Sequence, residues 1–351
     1  MSIQGSDLVS SKRLGTQSIF FETPPSVLSS ACVGGKREGE GPLGKSIDYI
    51  SEDAHFGEKT WEMAERAMMR HCFLLATDKG SMSSSSIDYL FCGDLLNQCT
   101  TSSFALKDSG TPLFGLYGAC STMAEGLILS AMAIDGGYAD TACAITSSHY
   151  CTAERQYRYP LEYGGQKTPT SQWTVTGSGA VLLSRLRSHS KPNNIYITHA
   201  TTGKIVDAGV NDMSNMGAAM APAAYDTLCA HFNDTGRGPD FYDMIVTGDL
   251  GLFGRSIIVD LFSNDGVDIA SRYTDCGILI YNTDEQDVTC GGSGCGCSAT
   301  VLAGHLMKLL ESGTVKNLLF AATGALMSPT TSQQGESIPG ICHAVSMASG
   351  R

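Results

Sequence analysis

Apolar residues recur along this chain in two rhythms, and the two rhythms alternate. Trp61, Met63, Ala64, Ala67, Met68, Cys72 and Leu75 sit at helical spacing. A short apolar run follows inside Asp88-Tyr89-Leu90-Phe91-Cys92-Gly93-Asp94-Leu95. The pattern predicts a helix and then a buried strand. The same succession returns later. Met216, Met220, Ala224, Leu228 and Phe232 form the helical stripe, and Asp243-Met244-Ile245-Val246-Thr247-Gly248-Asp249-Leu250 forms the strand. Both strands read Asp, a short apolar run, then Gly-Asp-Leu.

A second pair repeats in the same order. The mostly apolar Pro112 to Tyr117 leads into Gly118-Ala119-Cys120, and a helical stripe of Met123, Leu127, Ile128, Ala131, Met132 and Ile134 ends near Asp135-Gly136. Its counterpart opens at Gly296-Cys297-Ser298, carries Val301, Leu302, Leu306, Leu309 and Leu310 on one face, and ends at Ser312-Gly313. A strand follows each helix, Thr141 to Ile145 and Leu318 to Ala322. Helix and strand alternating twice over predict an α/β protein of two similar βαβαβ-type halves. Polar residues and Pro192 between Ser188 and Asn194 mark the division, giving halves 1–188 and 189–351. The serine run Ser83 to Ser86 reads as a loop.

Against that pattern Cys120 stands out among 13 cysteines by position alone. The spacing predicts a strand that ends at Cys120 and a helix that starts on Ser121 or Thr122. Helix N-termini carry unpaired N–H groups and partial positive charge, so a thiol there is expected to have a lowered pKa and act as a nucleophile.

Composition narrows the setting. Of 351 residues 42% are hydrophobic and 17% charged, as in an ordinary globular protein. The net charge of −12 argues against binding nucleic acid or a bare anionic membrane. No apolar stretch approaches membrane-spanning length, and Met1 to Arg13 lacks the apolar core of a signal peptide. An odd cysteine count without an export signal fits synthesis in a reducing compartment. No pair of CxxC motifs is present, Cys295 and Cys297 are only two apart, and no histidine sits at zinc-site spacing, so no metal cluster is expected; no cofactor is expected either.

A longer block carries a family resemblance. It runs from Thr146-Ser147-Ser148-His149-Tyr150 through Thr152-Ala153-Glu154-Arg155-Gln156, Tyr159-Pro160-Leu161-Glu162-Tyr163-Gly164-Gly165-Gln166 and Thr168-Pro169-Thr170 to Gln172-Trp173-Thr174-Val175-Thr176-Gly177. With Ala119-Cys120-Ser121-Thr122, Thr247-Gly248-Asp249-Leu250-Gly251 and the tail Gln334-Gly335-Glu336, Ile338-Pro339-Gly340 and His343-Ala344-Val345, it resembles the stage V sporulation protein AD family of the thiolase superfamily. The resemblance implies a duplicated thiolase-like fold. It also implies association with the inner membrane of the spore and a part in the uptake of dipicolinic acid. With no spanning segment, that association is expected to be peripheral and to run through partner proteins of the uptake complex. By analogy a homodimer is expected, formed by pairing the first-half sheets.

The same resemblance bears on catalysis. Condensing enzymes of this fold place histidine just before the second-half helix or after a second-half strand. Here those places read Gly291-Gly292-Ser293-Gly294-Cys295-Gly296 and Thr247-Gly248-Asp249-Leu250, without histidine. Cys295 stands near where an asparagine is expected. Loss of such a donor typically lowers the rate on the order of a hundredfold or more, so a degenerate enzyme that binds a ligand is the expectation. An acyltransferase using Cys120, with His149 as substitute, is the alternative. Dipicolinic acid, free or as its calcium chelate, needs donors for two carboxylates and a slot for a flat ring. The candidates are Cys120, His149, Arg155, Gln172, Trp173, Thr174, Asp249 and Cys295, with Arg158, Lys167, Tyr157, Tyr159 and Tyr163 nearby in sequence. Asp249 repels a free dianion but suits calcium, or else it is a turn residue like its repeat counterpart Asp94.

Overall fold

The computed structural model describes residues 12–157, 168–186 and 193–350. Ten strands carry the architecture. The first half contributes β1 (Ser26–Gly35), β2 (Tyr89–Gly93), β3 (Leu113–Leu116), β4 (Thr141–Ser148) and β5 (Gly177–Ser184). The second contributes β6 (Asn194–Thr201), β7 (Met244–Thr247), β8 (Tyr273–Asp275), β9 (Asn317–Ala325) and β10 (Gly340–Gly350). Their spatial order is β3-β2-β4-β5-β1 and then β6-β10-β9-β7-β8, so each half has the same order read outward from the centre. The pairing senses repeat too. β1 with β5 and β5 with β4 are antiparallel, β4 with β2 and β2 with β3 parallel, and the second half matches strand for strand. The two sheets meet in a single antiparallel pair between Ser26 and Tyr196.

The main helices are α1 (Trp61–Lys79), α2 (Thr100–Leu106), α3 (Thr122–Asp135), α4 (Tyr150–Tyr157), α5 (Met216–Thr235), α6 (Gly251–Asn264) and α7 (Cys295–Val301). Thr60 caps α1 by accepting from the Met63 N–H, and Asn215 caps α5 by accepting from the Ala218 N–H. Both are ordinary start signals, and α1 and α5 each pack one face onto their own sheet. By contrast α3 is apolar nearly all round, and such a helix belongs inside. Met123, Ala124, Leu127, Ala131 and Ile134 are fully buried. They share one core with Val246, Phe320, Ala322 and Val345 of the second half. Helices α3 and α7 thus lie between the two sheets.

The element order agrees with the sequence pattern, and the ends differ. The strand predicted to reach Cys120 stops at Leu116. Cys120 lies in a single 3-10 turn, Ala119–Ser121, ahead of α3. In the other direction β4 runs on past Ile145, because antiparallel pairing with β5 continues to Ser148 opposite Gly177. That extension carries the chain directly to His149 and α4. The helix predicted from Cys297 begins at Cys295, then widens into a π-turn over Leu302–Leu306.

Candidate functional site

The Cys120 turn is held in an unfavourable backbone state. Ala119 has φ 51, in the left-handed region, which disfavours a non-glycine residue by about 1–2 kcal/mol. Local hydrogen bonds hold it there. The Ser121 hydroxyl donates to the Gly118 carbonyl at 2.7 Å and the Thr122 hydroxyl to the Ala119 carbonyl at 2.7 Å. From the second half, Gly324 on β9 lets that turn come close. A Cβ there would sit 2.7 Å from the Gly118 oxygen.

Asp249 follows β7 and is fully buried. Its Oδ2 accepts from the Gly294 N–H at 2.8 Å and from the Ser293 hydroxyl at 3.3 Å, and its Oδ1 accepts from the Thr323 hydroxyl at 2.9 Å. The Cys120 thiol donates to the same carboxylate. Burial pushes the Asp249 carboxyl up to about 7 even against these donors. Burial, and after it the charge of Asp249, pushes the Cys120 thiol well above its ordinary range. This corrects the expectation of an activated thiolate. The helix end is real, but dehydration and a neighbouring carboxylate outweigh it.

The other candidates fall into two groups. Cys295 lies behind Cys120 and donates its thiol proton to the Ser147 carbonyl at 2.9 Å. Gln172 does not face the cavity. Its Nε2 donates to the Asp249 carbonyl at 2.7 Å and the Gly292 carbonyl at 2.9 Å, stitching the two loops together. Thr174 does face it, and donates to the Glu154 carboxylate at 3.4 Å. Trp173 and Thr174 pair in parallel with Gly292 and Ser293, and that short ribbon seats the first-half loop on the second half.

His149, Trp173 and Arg155 are placed elsewhere. His149 Nε2 donates to the Ala54 carbonyl at 2.9 Å while Nδ1 accepts from the Cys151 N–H at 3.2 Å. Both nitrogens are engaged, and burial lowers its pKa, so the ring is a neutral structural group and does not substitute as base for Cys120. It lines a separate cavity of about 330 Å³. Trp173 borders that second cavity too, stacked on Tyr150 at 3.9 Å with the Arg37 guanidinium 4.0 Å from its ring centre. Arg155 makes an ion pair with Glu62. Arg158, Tyr159, Tyr163 and Lys167 lie outside the described residues.

The cavity at Cys120 is small, about 40 Å³, room for a few waters at most. Ala153, Glu154 and Tyr157 of α4 form one wall, and Ser293, Met216 and Met327 come from the second half. The Tyr157 hydroxyl donates to the Leu95 carbonyl at 2.7 Å. Sequence reading passed over Glu154 as a lining group, although its i, i+3 spacing to Tyr157 on a short helix after His149 was the available signal. Thr323 and Ser293 carried no such signal. The repeat counterpart Asp94 behaves as a turn residue, accepting from Leu96 and Ser102 N–H groups at 2.9 and 2.8 Å. Among the described residues no cluster of His, Cys, Asp and Glu is arranged to hold a metal ion.

The profile of the family described as stage V sporulation protein AD matches residues 15–348. The stage V sporulation protein AD of Bacillus subtilis (strain 168) is 46% identical over 334 residues, which is 95% of this chain and 97% of that protein. The chain belongs to the stage V sporulation protein AD family. Among solved structures, an OleA variant of Xanthomonas campestris superposes with a TM-score of 0.60 at 15% identity, covering 94% of this chain and 99% of that one. The 3-oxoacyl-[acyl-carrier-protein] synthase III of Aquifex aeolicus VF5 gives 0.53 at 14% identity, covering 92% and 99%. Both show that this sporulation protein has the thiolase-like fold. Among the described residues no helix is long and apolar enough to cross a membrane.

Proposed function

We propose that this member of the sporulation family is a non-catalytic thiolase-fold protein that binds dipicolinic acid or its calcium chelate and takes part in its uptake into the developing spore. One observation carries the non-catalytic part. The group facing the Cys120 thiol is the buried carboxyl of Asp249, and among the described residues no histidine lines that cavity. A thiol held protonated by burial beside a carboxylate is a poor nucleophile. The cavity keeps hydroxyls from Thr174, Ser293 and Tyr157 and a carboxylate from Glu154. Those groups suit a polar ligand, and Glu154 suits a chelated calcium better than a bare dianion. A pyridine ring with two carboxylates exceeds the present volume, so occupancy requires the Tyr157 and Met327 walls to part. Association with the spore inner membrane is peripheral in this proposal and runs through partner proteins of the uptake complex. The protein works as a homodimer.

Calorimetric titration with dipicolinate, with and without equimolar calcium, tests the binding. Saturable uptake at sub-millimolar ligand that weakens in Glu154→Gln supports the assignment. Absence of saturable binding to the wild type removes it. Incubation with acyl-CoA thioesters and intact-mass measurement tests the catalytic alternative. An adduct on Cys120 that disappears in Cys120→Ser would replace a binding protein with an acyltransferase.

A further inference from the structure

Outside the Cys120 region, α1 and α2 leave a groove of about 310 Å³ on the outer face of the first half. Its walls are apolar and exposed. Met63 is 37%, Leu74 44% and Phe104 52% accessible. Met63, Ala67, Arg70 and Leu74 follow at i, i+4, i+7 and i+11, so they form one stripe along α1. Arg66 and Arg70, one turn apart, stand over the groove. The Arg66 guanidinium lies 4.4 Å from the Phe104 ring centre, and its buried Nε has no hydrogen-bond partner. Among the described residues neither arginine makes an ion pair. His71 also lines the groove, packed on Tyr49 at 4.3 Å between ring centres. Glu58 is the acidic residue of the lining.

Two arginines without an ion-pair partner among the described residues give this apolar groove local positive charge on a chain of net charge −12. We infer that the α1–α2 groove is a docking site for an acidic amphipathic helix of a partner protein, with its apolar side chains between Met63, Leu74 and Phe104 and its carboxylates on Arg66 and Arg70. Charge complementarity selects this occupant. A second copy docking through the same face brings the same two arginines, with Glu58 as the one acidic residue of its lining, and so complements the groove poorly. An anionic bilayer is flat and leaves a concave groove unfilled, and the chain's overall negative charge opposes its approach. The stripe of Met63, Ala67 and Leu74 with Phe104 beside it gives the apolar face of a partner helix a track to lie along.

A charge-swap titration tests this on the full chain. The probes are a fluorescein-labelled synthetic helix of leucine anchors on a glutamate background, the same helix with lysine for glutamate, and phosphatidylglycerol vesicles. Anisotropy should show saturable binding of the glutamate helix to the wild type, weakening as salt rises. The double variant Arg66→Glu with Arg70→Glu should bind it on the order of tenfold or more weakly and should gain the lysine helix. Phe104→Ala, which leaves both charges, should also weaken the glutamate helix. Circular dichroism melting confirms that the variants are folded. Equal binding of the glutamate helix by wild type and double variant, no binding by wild type, or capture of wild type by vesicles through Arg66 and Arg70 overturns the inference. Dipicolinate titration of the double variant separates the two proposals, since the groove and the Cys120 cavity share no lining residue.

Discussion

At the scale of single residues, the contest at Cys120 is between a helix terminus and a dehydrated acid. Partial positive charge at a helix start acts over a turn and stabilises a thiolate modestly. Removal of water acts on the whole charge of the thiolate, and Asp249 adds like-charge repulsion. Slow alkylation follows. At pH 7.5 iodoacetamide should label Cys120 at least about tenfold more slowly than the half-buried Cys151 and Cys229. Peptide mass spectrometry over time reads this directly, and labelling of Cys120 first would mean that the helix end prevails. Asp249→Asn removes the repelling charge and should speed labelling of Cys120.

At the scale of elements, the close contact of α7 with the first-half sheet depends on a residue that has no side chain. A Cβ on Gly179 of β5 would lie 2.2 Å from the Ala299 carbonyl oxygen. Backbone cannot move aside as a side chain can, so Gly179→Ala should destabilise by about 3 kcal/mol or more, at the upper end of overpacking effects. Gly238→Ala, where a Cβ meets nothing within 4 Å, should change stability by well under about 1 kcal/mol. Denaturant melts of the two variants test the pair. The edges of the sheet differ as well. Strand β8 is largely buried, whereas β3 exposes Leu113 and Phe114, with Phe114 stacked on Phe91 at 5.2 Å. An open apolar edge is a pairing site. If the proposed homodimer pairs there, Phe114→Lys should shift sedimentation from dimer toward monomer, and an unchanged dimer would place the interface elsewhere.

Across the whole molecule, five carboxyls among the described residues are at most 1% accessible: Glu38, Glu65, Asp94, Asp249 and Asp275. Hydroxyls and backbone N–H groups hold them, and none of them makes an ion pair among the described residues. Burial raises all five, Glu65 to about 8 and Asp249 to about 7. The folded state therefore binds protons that the unfolded chain has released. Their stabilising contribution is complete below the ordinary carboxylate range, near pH 4, and is lost as pH rises through about 7 to 8. The melting temperature should fall between pH 6 and pH 8.5, and Glu65→Gln or Asp249→Asn should flatten that slope whatever its effect at a single pH. A melting temperature that rises over this interval would mean that these acids stay ionised in the fold.

The elements, the twofold repetition and the family are legible along the chain. Each is written in local pattern: the stripe of α3, the recurring Gly-Asp-Leu after β2 and β7, the block from Thr146 to Gly177. Local order also placed Cys120 ahead of a central helix. What surrounds the thiol is set by the packing of the two halves against each other. His149 and Trp173 are near Thr174 in the family block, yet both line another cavity, because β4 ends at Ser148 and α4 turns Ala153, Glu154 and Tyr157 toward Cys120 instead. Asp249, Ser293 and Thr323 converge from three separate segments of the second half. Side-chain direction and the loss of water depend on how the two sheets close over α3 and α7, and no stretch of sequence records that closure.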